Sequence, residues 1–242
     1  MNSHVHLTQD RIENAVMKVC DCVVSQKREC MQNWEDYNEH QLWLELVSCI
    51  LGSRVRYETA RACTLHLRDA GLLRISTLFK KSQVSEKRIS RELNKSIYPP
   101  FSNGKGSKYR YPKSKSRCIV RSGFQIYGNN LSIRKLLKKC HDGQEARELL
   151  RKKCAGIGLK QASLFLRNIS FSDDLAILDC HVLRYMKLLR LDEKFNNIEQ
   201  EKSHPYIVNE NILKLYAISK RKSLSVLDVG IWVVMRLLKR RL

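Results

Sequence analysis

Apolar residues recur along this chain at intervals of three and four, the period of a helix that buries one stripe and leaves the rest to solvent. Ile12, Val16, Val19, Val23 and Val24 set that rhythm over residues 10–30. "HQLWLELVSCILG" (40–52) is apolar on most of its circumference, so it is expected to be a central helix. "SRVRYETARACTLHLRDAG" follows as a short polar loop and a helix that stops at Gly71. "IRKLLKKC" and "QEARELLRKKC" return to the helical period further on, and "DLAILDCHVLRYMKLLRL" reads as a short apolar run, an aspartate and an amphipathic helix. "NENILKLYAISKR" and "SVLDVGIWVVMRLLKRRL" close the chain as two more helices, with Ser225 and Asp228 at capping-box spacing. No internal repeat occurs. The pattern predicts an all-α protein of roughly ten helices.

Composition agrees. Ten glycines and four prolines in 242 residues are too few for a sandwich of many tight turns. Lys and Arg outnumber Asp and Glu by 45 to 24, a formal charge of +21. That excess repels itself unless an anionic partner neutralises it, and nucleic acid is the commonest such partner. A chain that is merely basic is the alternative. No run of 18 apolar residues occurs, and the opening "MNSHVHLTQDRIENAV" lacks the basic and apolar regions of a signal peptide. The expectation is an intracellular protein, not secreted and not in a membrane. The nine cysteines form one C-x-C and no paired C-x-x-C sets, so they are read as reduced, buried small hydrophobes and not as metal ligands.

Residues 81–121 hold twelve Lys and Arg against two acidic residues. Within them "YPPFSNGKGSKYRYPKSKSR" reads as an exposed basic loop, 98–117, in which Lys113, Lys115 and Arg117 are candidate phosphate contacts and the tyrosines suit unstacked bases. A solvated insertion is the other reading.

The chemistry concentrates in "QEARELLRKKCAGIGLKQASLFLRNI", a helix, a tight hairpin and a second helix over 144–169. Ala146, Leu149, Leu150 and Cys154 face Leu159, Ala162, Leu166 and Ile169. Gly156 and Gly158 let the backbone turn and leave amides uncovered at a helix start, an anion site that grips a DNA phosphate without reading sequence. Lys160 then stands in the first turn, where the helix dipole is already positive and an acidic residue is the stabilising choice. A misplaced charge asks for a reason.

"GIGLKQASLFLRN" followed by "LAILDCHVLRYM" resembles the helix–hairpin–helix superfamily of DNA glycosylases, and within it most closely the archaeal and bacterial type 2 branch of the 8-oxoguanine DNA glycosylase/AP lyases. That family carries a lysine two residues beyond the hairpin's last glycine and an aspartate 18–20 residues further on. Here the matching positions are Lys160 and Asp179, 19 apart. The likeness is close over 153–186, looser for "LVSCILGSRVRYETAR" and "YPKSKSRCIVRSGFQIYG", and returns at "LDVGIWVVM". It implies that Lys160 is the amine nucleophile of a Schiff base, its neutral form favoured by the helix end and by the basic surroundings. It implies that Asp179 stabilises the cationic sugar or shuttles a proton. As alternatives, Lys160 is one more phosphate-binding lysine and Asp179 a plain N-cap.

His181 is implied to contact the backbone beside the lesion, with a solvated or core-lining role as the other reading. Trp232 resembles a tryptophan that stacks on the extruded base, against which stands a core-filling role.

The resemblance further implies two helical subdomains with the helix–hairpin–helix at the cleft between them. The expected division is 1–49 packing with the C-terminal part, 50–140 as a second subdomain, and 141–242. The iron–sulfur loop of endonuclease III-like relatives is missing, with only Cys180 near its place, so neither a cofactor nor a metal is expected. The partner is double-stranded DNA with a damaged or modified base, bound by a monomer. Type 2 members end on a lysine that helps recognise oxidised guanine, whereas this chain closes "LLKRRL" and lacks their Thr-Gly. Three readings therefore stay open: excision of 8-oxoguanine or a related purine, the same chemistry on another modified base, and a non-catalytic DNA-binding module.

Overall fold

A computed structural model describes residues 8–29, 33–78, 82–98, 106, 108–128, 130–195 and 204–239. Its helices are α1 (Gln9–Glu29), α2 (Glu39–Leu51), α3 (Tyr57–Asp69), α4 (Ile75–Leu78), α5 (Ser82–Leu93), α6 (Pro112–Tyr127), α7 (Ile133–Leu137), α8 (Gly143–Lys153), α9 (Leu159–Asn168), α10 (Cys180–Leu188), α11 (Leu191–Lys194), α12 (Pro205–Ser219) and α13 (Leu224–Lys239). No sheet forms among the described residues, as the all-α pattern requires. The helix after the first loop stops at Ala70, and Gly71 takes φ +69° just beyond it, a left-handed turn that glycine enters without strain.

The helices segregate into two compact units, residues 33–171 and residues 1–32 with 172–242. These limits differ from the divisions at 49/50 and 140/141. The reason lies in α2, which packs on α3, α6, α7 and α9, so that 39–51 and the whole hairpin segment share one unit with 50–140.

In the 33–171 unit, α2 is the axis. Leu42, Trp43, Leu46, Val47, Ile50 and Leu51 are essentially inaccessible, and Trp43 meets Tyr127 of α6 edge-on with ring centroids 5.6 Å apart. Polar groups tie its ends. Asn38 caps α2 through Gln41 N, and Glu39 accepts from the Ile133 and Arg134 amides at the start of α7 at 2.6 and 3.2 Å. Glu45 accepts from Asn168 at the end of α9 and from Arg61 of α3.

In the other unit, α1 lies along α13, and α10 packs on α13. Val16, Cys20, Val182, Tyr185, Leu213, Leu227 and Ile231 form its core. The α1–α13 contact is close enough to need a glycine. A Cβ on Gly230 would lie 2.5 Å from Cys20 Sγ and 3.1 Å from the Val16 carbonyl oxygen. The helix start differs from the predicted capping box: Ser225 is inside α13, while Ser223 accepts from Val226 N through its hydroxyl and from Leu227 N through its carbonyl. Asp228 is buried and turned to another task, described below.

No helix among the described residues is long and apolar enough to cross a membrane. Cys20, Cys49, Cys63 and Cys154 are buried free thiols, and burial pushes Cys63 and Cys154 up to about 12, where neither reacts. Cys22 and Cys180 are exposed, against the expectation that every cysteine is a core residue, and Cys30 lies outside the described residues. Gly230→Ala is expected to cost about 1–3 kcal/mol by overpacking the α1–α13 contact. Urea unfolding checks this, and a stability equal to that of the parent chain would mean the two helices part freely.

Candidate active site

The hairpin is residues 154–158, between α8 and α9. Its helices pair as the sequence pattern requires. Ala146, Leu150 and Cys154 are buried against Leu159, Ala162, Leu166 and Ile169, while Leu149 is only half-buried. Arg147, 2% exposed on α8, donates to Ser163 Oγ on α9 at 3.3 Å and ties the pair internally.

One face of α6 seats the turn. Ser122 donates to the Ala155 carbonyl at 3.3 Å. A Cβ on Gly156 would lie 2.7 Å from Cys118 Sγ, and Gly156 has φ +77°. Both the space and the backbone angle therefore demand glycine there. Gly158 differs. It is the N-cap of α9 in extended conformation, makes no side-chain cap bond, and has nothing within 4 Å of its Cβ position. The first amides of α9 are thus left without a side-chain cap beside open space, an arrangement that accepts an anion. Lys160 is the second residue of α9, half-buried, in the same first turn.

The expected basic loop 98–117 is shorter than its composition suggests. Pro112 occupies the first turn of α6, where its missing N–H costs nothing, and the helix continues through Lys113, Lys115 and Arg117. Residues 99–105 and 107 lie outside the described residues. The three cations are also divided. Lys113 and Arg117 are exposed and line an open groove with Glu86, Lys87 and Arg91 of α5, and Arg117 pairs with Glu86 at 3.3 Å. Lys115 points the other way. It is 8% exposed, and its Nζ lies 3.8 Å from the Cβ position of Gly156.

Asp179, His181 and Trp232 belong to the other unit. Asp179 is the N-cap of α10, and its Oδ1 accepts from His181 N at 2.8 Å and Val182 N at 3.0 Å. Both bonds fall on one oxygen. Oδ2 has no hydrogen bond among the described residues, so capping uses one oxygen of the carboxylate. His181 is half-buried in the first turn. Trp232 is half-buried on α13 and outside the buried core, with the Arg236 guanidinium 4.6 Å from its ring centroid. The ligand atoms of Asp179, Cys180 and His181 lie within 4.8 Å of one another, close enough for a metal ion, although the positive end of α10 opposes a cation there.

Composition and spacing missed what aims Asp179. The extended segment 175–178 leads into it, held by three side chains from α12 and α13. Glu210, 3% exposed, accepts from Ala176 N at 2.9 Å, and Asp228, 3% exposed, accepts from Ile177 N at 2.9 Å. Tyr206 donates to the Ala176 carbonyl at 2.7 Å and accepts from Leu178 N at 3.4 Å. The available signal was an acid inside each of two apolar helices, which solvation or capping explains equally well from sequence.

Known proteins share this architecture. The family model described as 8-oxoguanine DNA glycosylase, of the helix–hairpin–helix type, matches residues 23–221. An 8-oxoguanine DNA glycosylase/AP lyase of Saccharolobus solfataricus is 38% identical over 128 residues, 53% of this chain and 60% of that protein. The aligned stretch thus spans less than two thirds of that relative. A protein of the same name from Sulfolobus acidocaldarius is 28% identical over 197 residues, 80% of this chain and 82% of its own. The crystal structure of the 8-oxoguanine DNA glycosylase of Thermotoga maritima is similar with a TM-score of 0.65 and 27% identity, covering 93% of each chain. With a match that runs from before α2 to the end of α12, the chain belongs to the helix–hairpin–helix 8-oxoguanine DNA glycosylase family.

Proposed function

We propose that this chain is a bifunctional DNA glycosylase/AP lyase that excises 8-oxoguanine or a related oxidised purine from double-stranded DNA, acting as a monomer and without a cofactor. The observation that carries the reading is Lys160 in the first turn of α9, directly after an uncapped glycine hairpin. A lysine there weakens the helix, and a nucleophile beside a bound backbone explains its place.

Lys160 Nζ, once deprotonated, attacks C1′ of the damaged nucleotide as the base departs with the electron pair of the glycosidic bond. Asp179 faces the cationic sugar through Oδ2 and passes a proton during base loss. The amine at C1′ then opens the sugar to a Schiff base. Loss of a C2′ proton breaks the C3′–O bond and releases the strand in β-elimination. The hairpin amides of 156–158 hold a phosphate, with His181, Lys113 and Arg117 as further backbone contacts. Trp232 stacks on the extruded base. The remaining freedom lies in the base itself, 8-oxoguanine or another modified base.

Borohydride trapping on duplexes carrying 8-oxoguanine, other modified bases, an abasic site or no damage checks the chemistry. One modified base should give a covalent adduct that Lys160→Gln abolishes. Tight binding with no adduct on any duplex would reduce the chain to a DNA-binding module. Asp179→Asn keeps the cap bonds through its amide oxygen and should slow base release about 10²- to 10⁴-fold; an unchanged single-turnover rate would confine Asp179 to capping. Gly156→Ala should weaken binding to every duplex alike, because it displaces the hairpin from Cys118. Affinity within a factor of about two of the parent would remove the hairpin from the interface.

A further inference from the structure

Four consecutive amides, from Ala176 to Asp179, run along the segment that ends at the Asp179 carboxylate, and each has an acceptor. Only one acceptor is local. Asp179 N donates to the Ile177 carbonyl at 2.8 Å and closes a tight turn. The other three are side chains that reach in from α12 and α13: Glu210 to Ala176 N, Asp228 to Ile177 N and Tyr206 to Leu178 N. Tyr206 and Glu210 stand four apart, on one face of α12. No strand pairs with the segment among the described residues.

The kind of acceptor is the unusual part. A buried amide is satisfied by a neutral carbonyl or hydroxyl. A carboxylate costs more to bury, and this segment uses two, each 3% exposed. What a carboxylate adds is a bond about twice as strong as a neutral acceptor makes. Leu175 and Ala176 are inaccessible and Leu178 is 5% exposed, so apolar packing already keeps the segment in the core. The polar bonds fix what packing leaves loose, the rotation of an extended chain about its own axis. That rotation sets the direction in which Asp179 leaves the segment. A catalytic group needs such control, because a displacement of about 1 Å can cost about 10²-fold in rate.

We propose that Glu210 is a positioning residue for base release, which with Asp228 and Tyr206 fixes the course of 176–178 and through it the Asp179 carboxylate. The proposal rests on the glycosylase reading above and adds to it the residues that aim Asp179. Glu210 is almost wholly buried and acts without touching DNA.

Glu210→Ala removes the acceptor, and Glu210→Gln keeps an oxygen in its place. Each is tested on the modified duplex that gives the parent chain its borohydride adduct. Single-turnover base release at saturating DNA is measured apart from affinity for an abasic-analogue duplex. Glu210→Ala should slow release about 10- to 10²-fold and leave affinity within about twofold, with most of the rate restored in Glu210→Gln. In the Asp179→Asn background it should slow release little further, because both changes act through one carboxylate. Glu210→Ala also strands the Ala176 amide and lowers the thermal midpoint. Val16→Ala opens a cavity in the core of the same unit and controls for lost stability alone; it should release the base at the parent rate. Equal slowing in Val16→Ala and Glu210→Ala overturns the proposal, as does a Glu210→Ala effect that multiplies fully with that of Asp179→Asn. Release at the parent rate by Glu210→Ala overturns it too, and so does Glu210→Gln as slow as Glu210→Ala. If Glu210→Ala does not fold, Tyr206→Phe, which removes the hydroxyl bonds to Ala176 and Leu178, is read in the same way. A parent chain that forms no adduct on any duplex would sink the glycosylase reading itself, and the positioning role with it.

Discussion

The 33–171 unit turns on an atom that is absent. Gly156 lies so close to Cys118 that a methyl group cannot enter, and its positive φ bends the chain back within a few residues. From that contact the rest follows in order. The turn rests on α6, α8 and α9 close against each other, and α9 begins at a glycine with no side chain to cover its amides. A helix start left bare in this way is a liability in a free protein and a binding site in the presence of an anion. Lys160 is fixed at that start by the helix itself, with no contact of its own needed to place it.

In the other unit the same end is reached by different means. Asp179 depends on an extended segment with no secondary structure of its own, and backbone of that kind keeps its shape only if its amides are satisfied. Glu210, Asp228 and Tyr206 do this from two helices. Each acid accepts from a main-chain N–H and is almost wholly buried, so loss of either would strand a donor at a cost of about 1–3 kcal/mol. The Asp179 carboxylate then caps α10 with one oxygen and keeps the other. The segment is thus positioned by buried groups, and the carboxylate it leads to is only half-buried.

Much of this was legible in the sequence because it is local. The helix–hairpin–helix is written in consecutive residues: two apolar stripes at the helical period, two glycines, and a lysine where an acid belongs. The N-cap at Asp179 was legible for the same reason. What escaped was set by long-range packing. The start of α6 looked like loop because prolines, glycines and serines punctuate the basic run 98–117, yet proline at the first turn is compatible with a helix. The unit boundaries escaped because α2 serves α9, more than a hundred residues away, as well as its neighbour α3. Asp228 was read from spacing as the capping-box partner of Ser225, whereas it accepts from Ile177 N, 51 residues distant.

The lysines show how far charge count falls short of charge placement. Lys113, Lys115 and Arg117 alternate in sequence and were one basic cluster on paper. On a helix they cannot share a face, since residues two apart are turned well away from each other. Thus two meet solvent beside α5, and the one between them is driven inward against the hairpin. The formal charge of +21 makes attraction to a polyanion plausible but does not say where the polyanion would lie.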